Sequence, residues 1–257
     1  MLLYRLGPEG FYAAIDSEGQ LRVVYSDPFQ VEPESWELGR VVETGAQGVL
    51  APIHPGKIIG IGRNYRAHAE ELGNPVPEEP VMFLKAPSSL IGPQTAVVLP
   101  PESERVEFEG EIGVVVRRRL CRADPDEARS SILGVTCACD VTARDLQRRD
   151  PCFSRAKSFD TFCPVGPAIL VEPNVDDLEV VTRINGEERQ RGHVGIMLFS
   201  IVDLLVYVSR MMTLEPGDLV LTGTPEGVGP LADGDNIEVE VSGVGVLGNP
   251  VEAWRQN

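Results

Sequence analysis

The chain has 257 residues and 42% of them are hydrophobic, enough for one full-sized core with a small satellite unit. Its formal net charge of −16 argues against a nucleic-acid partner, because neutralising phosphates requires clustered Lys and Arg side chains. There is no apolar run of about 18 residues, and the N-terminal "MLLYRLGPEGFY" lacks the features of a secretion signal, so we expect a cytoplasmic protein that does not use a membrane.

The five cysteines fit the same reducing compartment. Their number is odd and no two of them form a C-x-x-C pair, so the sequence predicts free thiols and not a disulfide framework. Cys137 and Cys139 could act as ligands of a soft metal, but their position inside an apolar run favours buried packing.

The first part of the chain is predicted to form a small β-rich unit over residues 1–52. Apolar and polar residues alternate there, as in "FYAAIDSEGQLRVVY", and turn residues separate the alternating runs. The Pro-rich "APIHPGK" marks a boundary, so residues 53–257 are predicted to form a second, larger domain. This domain begins with a short buried strand, "KIIGIG", followed by a short helix with Asn64 as its N-cap and Gly73 as its stop.

The rest of the chain mixes strands with few helices. "ILGVTCACD" reads as a buried strand, and Asn185-Gly186 predicts a tight hairpin turn. "LFSIVDLLVYVSRMM" reads as a buried helix, and "DNIEVEVSGVGVLGNPV" as a terminal hairpin. Because the regular strand–helix alternation of a Rossmann fold or TIM barrel is missing, we predict a mixed, β-rich α+β fold.

An acidic strand, "VEFEGEIGVVV", carries the first candidate site. Side chains two apart on a strand point the same way, which puts the Cα atoms of Glu109 and Glu111 about 7 Å apart on one face. A solvent-facing acidic strand is one reading. The apolar run after the acids, and Asp140 at the end of a second apolar run, favour another, in which three carboxylates converge as ligands of Mg²⁺ or Mn²⁺.

A histidine on the short helix is the candidate general base. His68 precedes Glu71 by three residues, so the two side chains share a helix face and the carboxylate can orient the imidazole. The alternative is an ordinary surface pair. His54 is interpreted as structural, and His193 has no comparable partner in the sequence.

Basic and glycine-rich segments follow. Arg144, Gln147 and Lys157 are candidates for holding an anionic substrate, and Lys157 could stabilise an oxyanion. "TGTPEGVG" could offer backbone N–H groups to an anion. Neither this turn nor "GIGRNY" matches a nucleotide-binding motif.

Seven segments occur in the order typical of one known family. They are "IGIGRNYRAHAEELG", "PVMFLKAPSSLIGP", "VEFEGEIGVVV", "CDVTARDLQ", "RAKSFDTFCPVGP", "INGEERQ" and "MTLEPGDLVLTGTPEGVGP". Together they cover most of residues 57–250. The chain therefore resembles the fumarylacetoacetate hydrolase family, and in particular its bacterial branch with an extra N-terminal domain, which includes homoprotocatechuate-pathway isomerase/decarboxylases and acylpyruvate hydrolases.

The resemblance implies a β-roll-like catalytic domain, a homodimer, and a site for Mg²⁺ or Mn²⁺. It implies metal ligands at Glu109, Glu111 and Asp140, with Glu107 left out of the ligand set. It also implies catalytic roles for His68, Glu71 and Lys157, and substrate-binding roles for Arg144, Gln147 and Thr224. Where relatives carry an amide and two hydroxyls, this chain has His193, Val194 and Gly195, which leaves the substrate open.

The resemblance implies an enzyme of 2-oxo or 2-hydroxy-dienoic acids. The leading hypothesis is C–C bond hydrolysis of acylpyruvate-type substrates through a metal-bound enolate. The alternatives are isomerisation or decarboxylation of 2-hydroxyhepta-2,4-diene-1,7-dioate in aromatic catabolism, and decarboxylation or tautomerisation of oxaloacetate. A hypothesis from a different class is a non-catalytic metal-binding protein on the same fold.

Overall fold

The structure is a computed structural model, and it describes residues 1–43 and 48–255. Its first strands are β1 (Leu2–Leu6), β2 (Phe11–Ile15), β3 (Leu21–Val24), β4 (Leu38–Val41), β5 (Ile58–Gly62), β6 (Val81–Lys85), β7 (Leu90–Ile91), β8 (Val97–Leu99), β9 (Val106–Phe108) and β10 (Gly110–Val116). They are followed by β11 (Ile132–Cys139), β12 (Thr142–Ala143), β13 (Cys163–Val171), β14 (Glu179–Ile184), β15 (Glu187–His193), β16 (Leu219–Leu221), β17 (Gly229–Pro230), β18 (Asn236–Val241) and β19 (Gly245–Ala253). The α-helices are α1 (Arg66–Glu71), α2 (Pro125–Ser130), α3 (Arg144–Arg149), α4 (Ser154–Lys157) and α5 (Ile201–Met211).

The largest sheet runs through both halves of the chain. Its strand order is β4-β3-β2-β1-β13-β11-β10-β16-β5-β6, and β7 pairs with β13 beside this path. The antiparallel pairing of β1 with β13 joins the N-terminal strands to the later ones. The predicted domain boundary after residue 52 thus falls between strands of one continuous sheet, and the division into two domains stays a prediction.

A second sheet, ordered β15-β14-β18-β19-β8, packs against the middle of the first. Its inward-facing Val180, Val239 and Leu247 share one apolar cluster with Ile112 and Cys137 of the large sheet. The opposite face of the large sheet is covered by another cluster, so β10 and β11 are buried on both faces. This explains why those strands, apart from Glu111 in β10 and Thr136 in β11, carry small or apolar residues on both faces and do not alternate. The prediction of a mixed, β-rich fold is confirmed.

Several local predictions are also confirmed. The turn at Asn185-Gly186 joins β14 to β15. The buried helix is α5, and Ser200 caps it through a reciprocal capping box with Asp203. Cys137 and Cys139 are buried in the core, where burial raises the pKa of the Cys137 thiol to about 12. None of the described helices has the length and apolar content needed to cross a bilayer.

The predicted cap of α1 is wrong. Helix α1 starts one residue later than the sequence suggested, and its N-cap position is Tyr65. The Asn64 amide instead donates to the carbonyl oxygens of Thr222 (2.8 Å) and Phe199 (3.1 Å), and its oxygen accepts from the Phe199 N–H (2.9 Å). Tertiary hydrogen bonds thus take the groups that a local cap would have used. Gly73, with φ of 67°, does follow the end of the helix.

Candidate active site

The acidic stretch is interrupted at Glu109, where the chain leaves one sheet for another. Strand β9 belongs to a small sheet with β12 and β17, whereas β10 pairs with β11 and β16 in the large sheet. Gly110 makes this passage possible, since a Cβ there would lie 1.8 Å from Thr182 Oγ1. Glu107, Glu109 and Glu111 are at most 4% exposed, so the reading as a solvent-facing strand is wrong.

Three of these buried carboxylates converge as the sequence suggested. Glu109, Glu111 and Asp140 each offer one oxygen, and these oxygens all lie within 4.8 Å of one another. The Asp140 N–H donates to the Glu109 carbonyl oxygen at 2.8 Å, which ties the end of β11 to the β9–β10 junction. The donor set is entirely hard oxygen and buried, so it fits a divalent cation such as Mg²⁺ or Mn²⁺. We call Glu109, Glu111 and Asp140 the carboxylate trio.

The trio is held by buried cations. The Lys157 ammonium donates to Glu109 Oε2 at 2.7 Å and also to Asp140. Burial would raise the pKa of Glu109, but Lys157 and Arg144 lower it well below its ordinary value. Glu111 has a backbone N–H donor, Gly223, at 2.6 Å, and its pKa is raised well above the ordinary value by burial and by Asp140 and Glu109.

Lys85 is a site residue that the sequence reasoning missed. Its ammonium is fully buried and donates to Asp140 Oδ1 at 2.6 Å, whereas Lys157 donates to the other oxygen, Oδ2. It also donates to the Lys157 main-chain oxygen. A lysine at the end of an edge strand, β6, gives no sign of this role in the sequence. Its place in the quoted "PVMFLKAPSSLIGP" segment was the available hint.

The Arg144 side chain hydrogen-bonds to two acidic residues, Glu107 and Glu109, and to Gln147. Its Nε donates to Glu107 Oε2 at 2.6 Å, and its other nitrogens donate to Glu109 and to Gln147. Burial would lower the pKa of Arg144, but Glu109 and Glu107 raise it, which keeps the guanidinium charged. Glu107 thus neutralises an arginine and stands outside the trio, as the resemblance implied.

His68 and Glu71 are neighbours in space as well as in sequence. Glu71 Oε2 lies 3.3 Å from His68 Nδ1, and the imidazole is 4% exposed, so the reading as an ordinary surface pair is wrong. Glu71 also accepts from the Gly227 N–H at 3.1 Å. With Nδ1–H donating to Glu71, the lone pair of Nε2 is free to accept a proton.

The turn "TGTPEGVG" supplies backbone N–H groups to anions, as predicted, but the anions are the protein's own carboxylates. Gly223 donates to Glu111 and Gly227 to Glu71. The Thr224 hydroxyl donates to the Gly110 carbonyl oxygen at 2.9 Å and accepts from Gln190 Nε2 at 2.7 Å. This turn therefore helps to position both Glu111 of the carboxylate trio and Glu71 beside His68.

The site opens into a cavity of about 290 Å³. Seven of the nine predicted site residues line it: His68, Glu109, Glu111, Arg144, Gln147, Lys157 and Thr224. Asp140 and Glu71 do not line the cavity, and each contacts a residue that does, Lys157 and His68 respectively. The wall also includes Arg63 and two aromatic rings, Phe83 and Phe153, which meet edge to face. The cavity thus combines apolar walls with charged groups, as small-molecule sites do.

His193 was expected to have no carboxylate partner, but it has one in the structure. Its Nε2 lies 3.1 Å from Asp177 Oδ1, and its Nδ1 accepts from the Gly195 N–H at 3.0 Å. Both groups of the pair are solvent-exposed, and His193 does not line the cavity. The unusual "GHVG" segment therefore forms a local cap on a short turn, Val194–Ile196.

Comparisons with known proteins agree on the family. Residues 57–252 match the family model described as fumarylacetoacetate (FAA) hydrolase C-terminal. The chain is 39% identical to a 5-carboxymethyl-2-hydroxymuconate delta-isomerase from Mycobacterium smegmatis, with a TM-score of 0.90 and coverage of 99% of this chain and 100% of that one. It is 36% identical to a 2-hydroxyhepta-2,4-diene-1,7-dioate isomerase from Mycobacterium marinum, with a TM-score of 0.88 and full coverage of both chains. A human mitochondrial oxaloacetate tautomerase, FAHD2A, is 41% identical over 79% of this chain and 68% of its own length. The chain belongs to the fumarylacetoacetate hydrolase family, whose members are enzymes.

Proposed function

We propose that this protein is a divalent-cation-dependent enzyme that moves a proton on a 2-oxo acid, as an isomerase or tautomerase. The observation that carries the proposal is that His68, backed by Glu71, lines the same cavity as Glu109 and Glu111. The printed activities of the M. smegmatis, M. marinum and human relatives support the same reaction class.

The proposed base is His68. Its Nε2 takes a proton from carbon beside the 2-oxo group and returns it to the same or a conjugated carbon. Glu71 fixes the tautomer, because a proton held on Nδ1 leaves the Nε2 lone pair available.

The remaining residues would hold the substrate and its developing charge. The carboxylate trio would hold Mg²⁺ or Mn²⁺, which acts as a Lewis acid on the 2-oxo group when bound. Lys157 lies beside the trio and is buried, so its positive charge acts at low dielectric on a nearby oxyanion. The Gln147 side chain and the edge of Arg144 lie on the cavity wall, where they can donate to the substrate carboxylate.

C–C bond hydrolysis of acylpyruvates is the second candidate. The His68–Glu71 pair favours it, because the same base that abstracts a carbon proton can activate a water molecule for attack on a distal carbonyl. Decarboxylation of oxaloacetate or of a dienedioate would follow if the group beyond C3 left as CO₂. The choice depends on which bond of the bound acid faces Nε2.

A panel of substrates separates these reactions. Oxaloacetate, an acylpyruvate and a 2-hydroxy-2,4-dienedioate are incubated with the protein and Mg²⁺ or Mn²⁺ in deuterated water, and the products are followed by NMR. We expect deuterium at C3 or a shifted double bond to form faster than in a protein-free control, and only at the control rate in His68→Gln. Cleavage to two acids would favour the second candidate. Rates equal to the protein-free control for all three substrates would contradict an enzymatic role and favour a non-catalytic metal-binding protein.

A further inference from the structure

The cavity wall contains basic residues whose positive charge is not neutralised by the surrounding carboxylates. Arg144 and Lys157 are both committed to Glu109 and to a second carboxylate each, Glu107 and Asp140. Arg63 and Arg148 also line the cavity. Within the described ranges, 1–43 and 48–255, neither Arg63 nor Arg148 has a carboxylate at ion-pair distance. Arg63 and Arg148 therefore bring positive charge to the cavity wall that no carboxylate of the described residues neutralises.

Of these two arginines, Arg63 is in the better position to bind an anion. It is half-buried, whereas Arg148 is exposed at the end of α3. Charge-assisted hydrogen bonds strengthen where water is partly excluded, so the half-buried guanidinium has more to gain from an anionic partner.

The backbone at Arg63 is held in an unusual conformation. Its φ is 60°, in the left-handed region that L-residues other than Asn and Asp rarely adopt. The next residue, Asn64, is locked by three side-chain hydrogen bonds and by the Leu198 N–H, which donates to its carbonyl oxygen at 2.8 Å. Glycine would fit this turn at lower cost, so the presence of arginine in a strained position at a cavity wall points to a use for its side chain.

We infer that Arg63 binds a second carboxylate at the far end of the substrate, so that the site selects 2-oxo dicarboxylic acids over 2-oxo acids with an apolar end. The inference rests on the proposed function for the orientation of the substrate, with its 2-oxo acid end at the trio and Lys157. It adds a specificity-determining residue, because a guanidinium recognises a carboxylate by two parallel hydrogen bonds and gains nothing from a methyl group.

Calorimetric binding of two unreactive acids tests this selectivity without turnover. 2-Oxoglutarate and 2-oxopentanoate have the same number of carbons and differ in ending with a carboxylate or a methyl group. With Mg²⁺ present, we expect the wild-type protein to bind 2-oxoglutarate about tenfold more tightly than 2-oxopentanoate. Arg63→Gln should abolish the difference by weakening 2-oxoglutarate alone, and Arg63→Lys should restore part of it.

Arg66→Gln is the matched control, because Arg66 lies three residues further along, is exposed and does not line the cavity. It should keep the full selectivity. Equal affinity of the wild-type protein for the two acids, binding of neither, or unchanged selectivity in Arg63→Gln would overturn the inference.

The same measurements distinguish failure of the inference from failure of the proposed function. If selectivity is lost in Arg63→Gln but no substrate of the panel is converted, the proposed function fails and the role of Arg63 in binding stands. If oxaloacetate is converted while the two unreactive acids bind equally, the proposed function stands and the role of Arg63 fails.

Discussion

At the scale of residues, the convergence of Glu109, Glu111 and Asp140 could be predicted, because each acid adjoins an apolar run that had to enter the core. The basic residues that neutralise these three carboxylates could be predicted only in part. Lys157 was a candidate from its segment, but Lys85 reaches Asp140 from a strand at the far edge of the sheet. That contact depends on strand order, which the local pattern around Lys85 does not encode.

Lys85→Met should destabilise the metal-free protein by about 3–5 kcal/mol, because it leaves Asp140 Oδ1 buried without its partner. The measurement is urea unfolding. Lys57→Met is the matched control: Lys57 also pairs with a buried aspartate, Asp218, but it is partly exposed, and Asp218 keeps two backbone N–H donors. Equal losses in the two variants would contradict the structural role of Lys85.

The raised pKa of Glu111 predicts how stability depends on pH. A carboxyl whose folded pKa lies above its ordinary value of 4.5 favours folding below that value, and this contribution is lost as pH rises through the folded pKa. The metal-free protein should therefore lose stability above pH 4.5 as Glu111 ionises, and Glu111→Gln should reduce that loss.

A divalent cation competes with the proton for the Glu111 carboxylate. Its affinity for the wild-type protein should rise over the same pH window, with release of a proton that calorimetry in buffers of different ionisation heat detects. Thermal unfolding of the metal-free wild-type and Glu111→Gln proteins supplies the first half of the test. Identical pH profiles for the two proteins would show that Glu111 does not titrate in this window.

At the scale of elements, long apolar runs and turn signals predicted β11, α5 and the β14–β15 hairpin, because each is specified by its own residues. The start of α1 was not predicted, since the Asn64 side chain serves a distant loop. The break between β9 and β10 was also missed. "VEFEGEIGVVV" reads as one strand, and its division at Gly110 depends on contacts with Thr182 and Gln190, which are distant in the sequence.

Gly110→Ala should therefore damage the trio. Its Cβ would overlap Thr182 Oγ1, and any shift of the chain moves Glu109 and Glu111 on either side. We expect a loss of about 1–3 kcal/mol in unfolding free energy and weaker Mn²⁺ binding by calorimetry. Gly229→Ala, on the adjacent β17, should be tolerated, since its Cβ would come no nearer than 3.4 Å to Phe108. Equal Mn²⁺ affinity in both variants would count against the account of this junction.

At the scale of the whole molecule, two facing sheets bury the strands that carry the acids, and the ends of β11 and α4 bring Asp140 and Lys157 to the same point. The β-rich class was predictable from alternating and apolar runs. The pairing of β1 with β13 was not, because it joins strands more than a hundred residues apart and is decided by packing of the complete chain.

The central claim is that the carboxylate trio holds a divalent cation on which proton transfer depends. The most direct test is the rate of keto–enol interconversion of oxaloacetate by chelator-treated protein, before and after addition of Mn²⁺, with Glu109→Gln measured at the same Mn²⁺ concentration. We predict a background rate without the cation, recovery of activity on its addition, and no recovery in Glu109→Gln. Full activity of the cation-free protein, or equal recovery in Glu109→Gln, would contradict the claim.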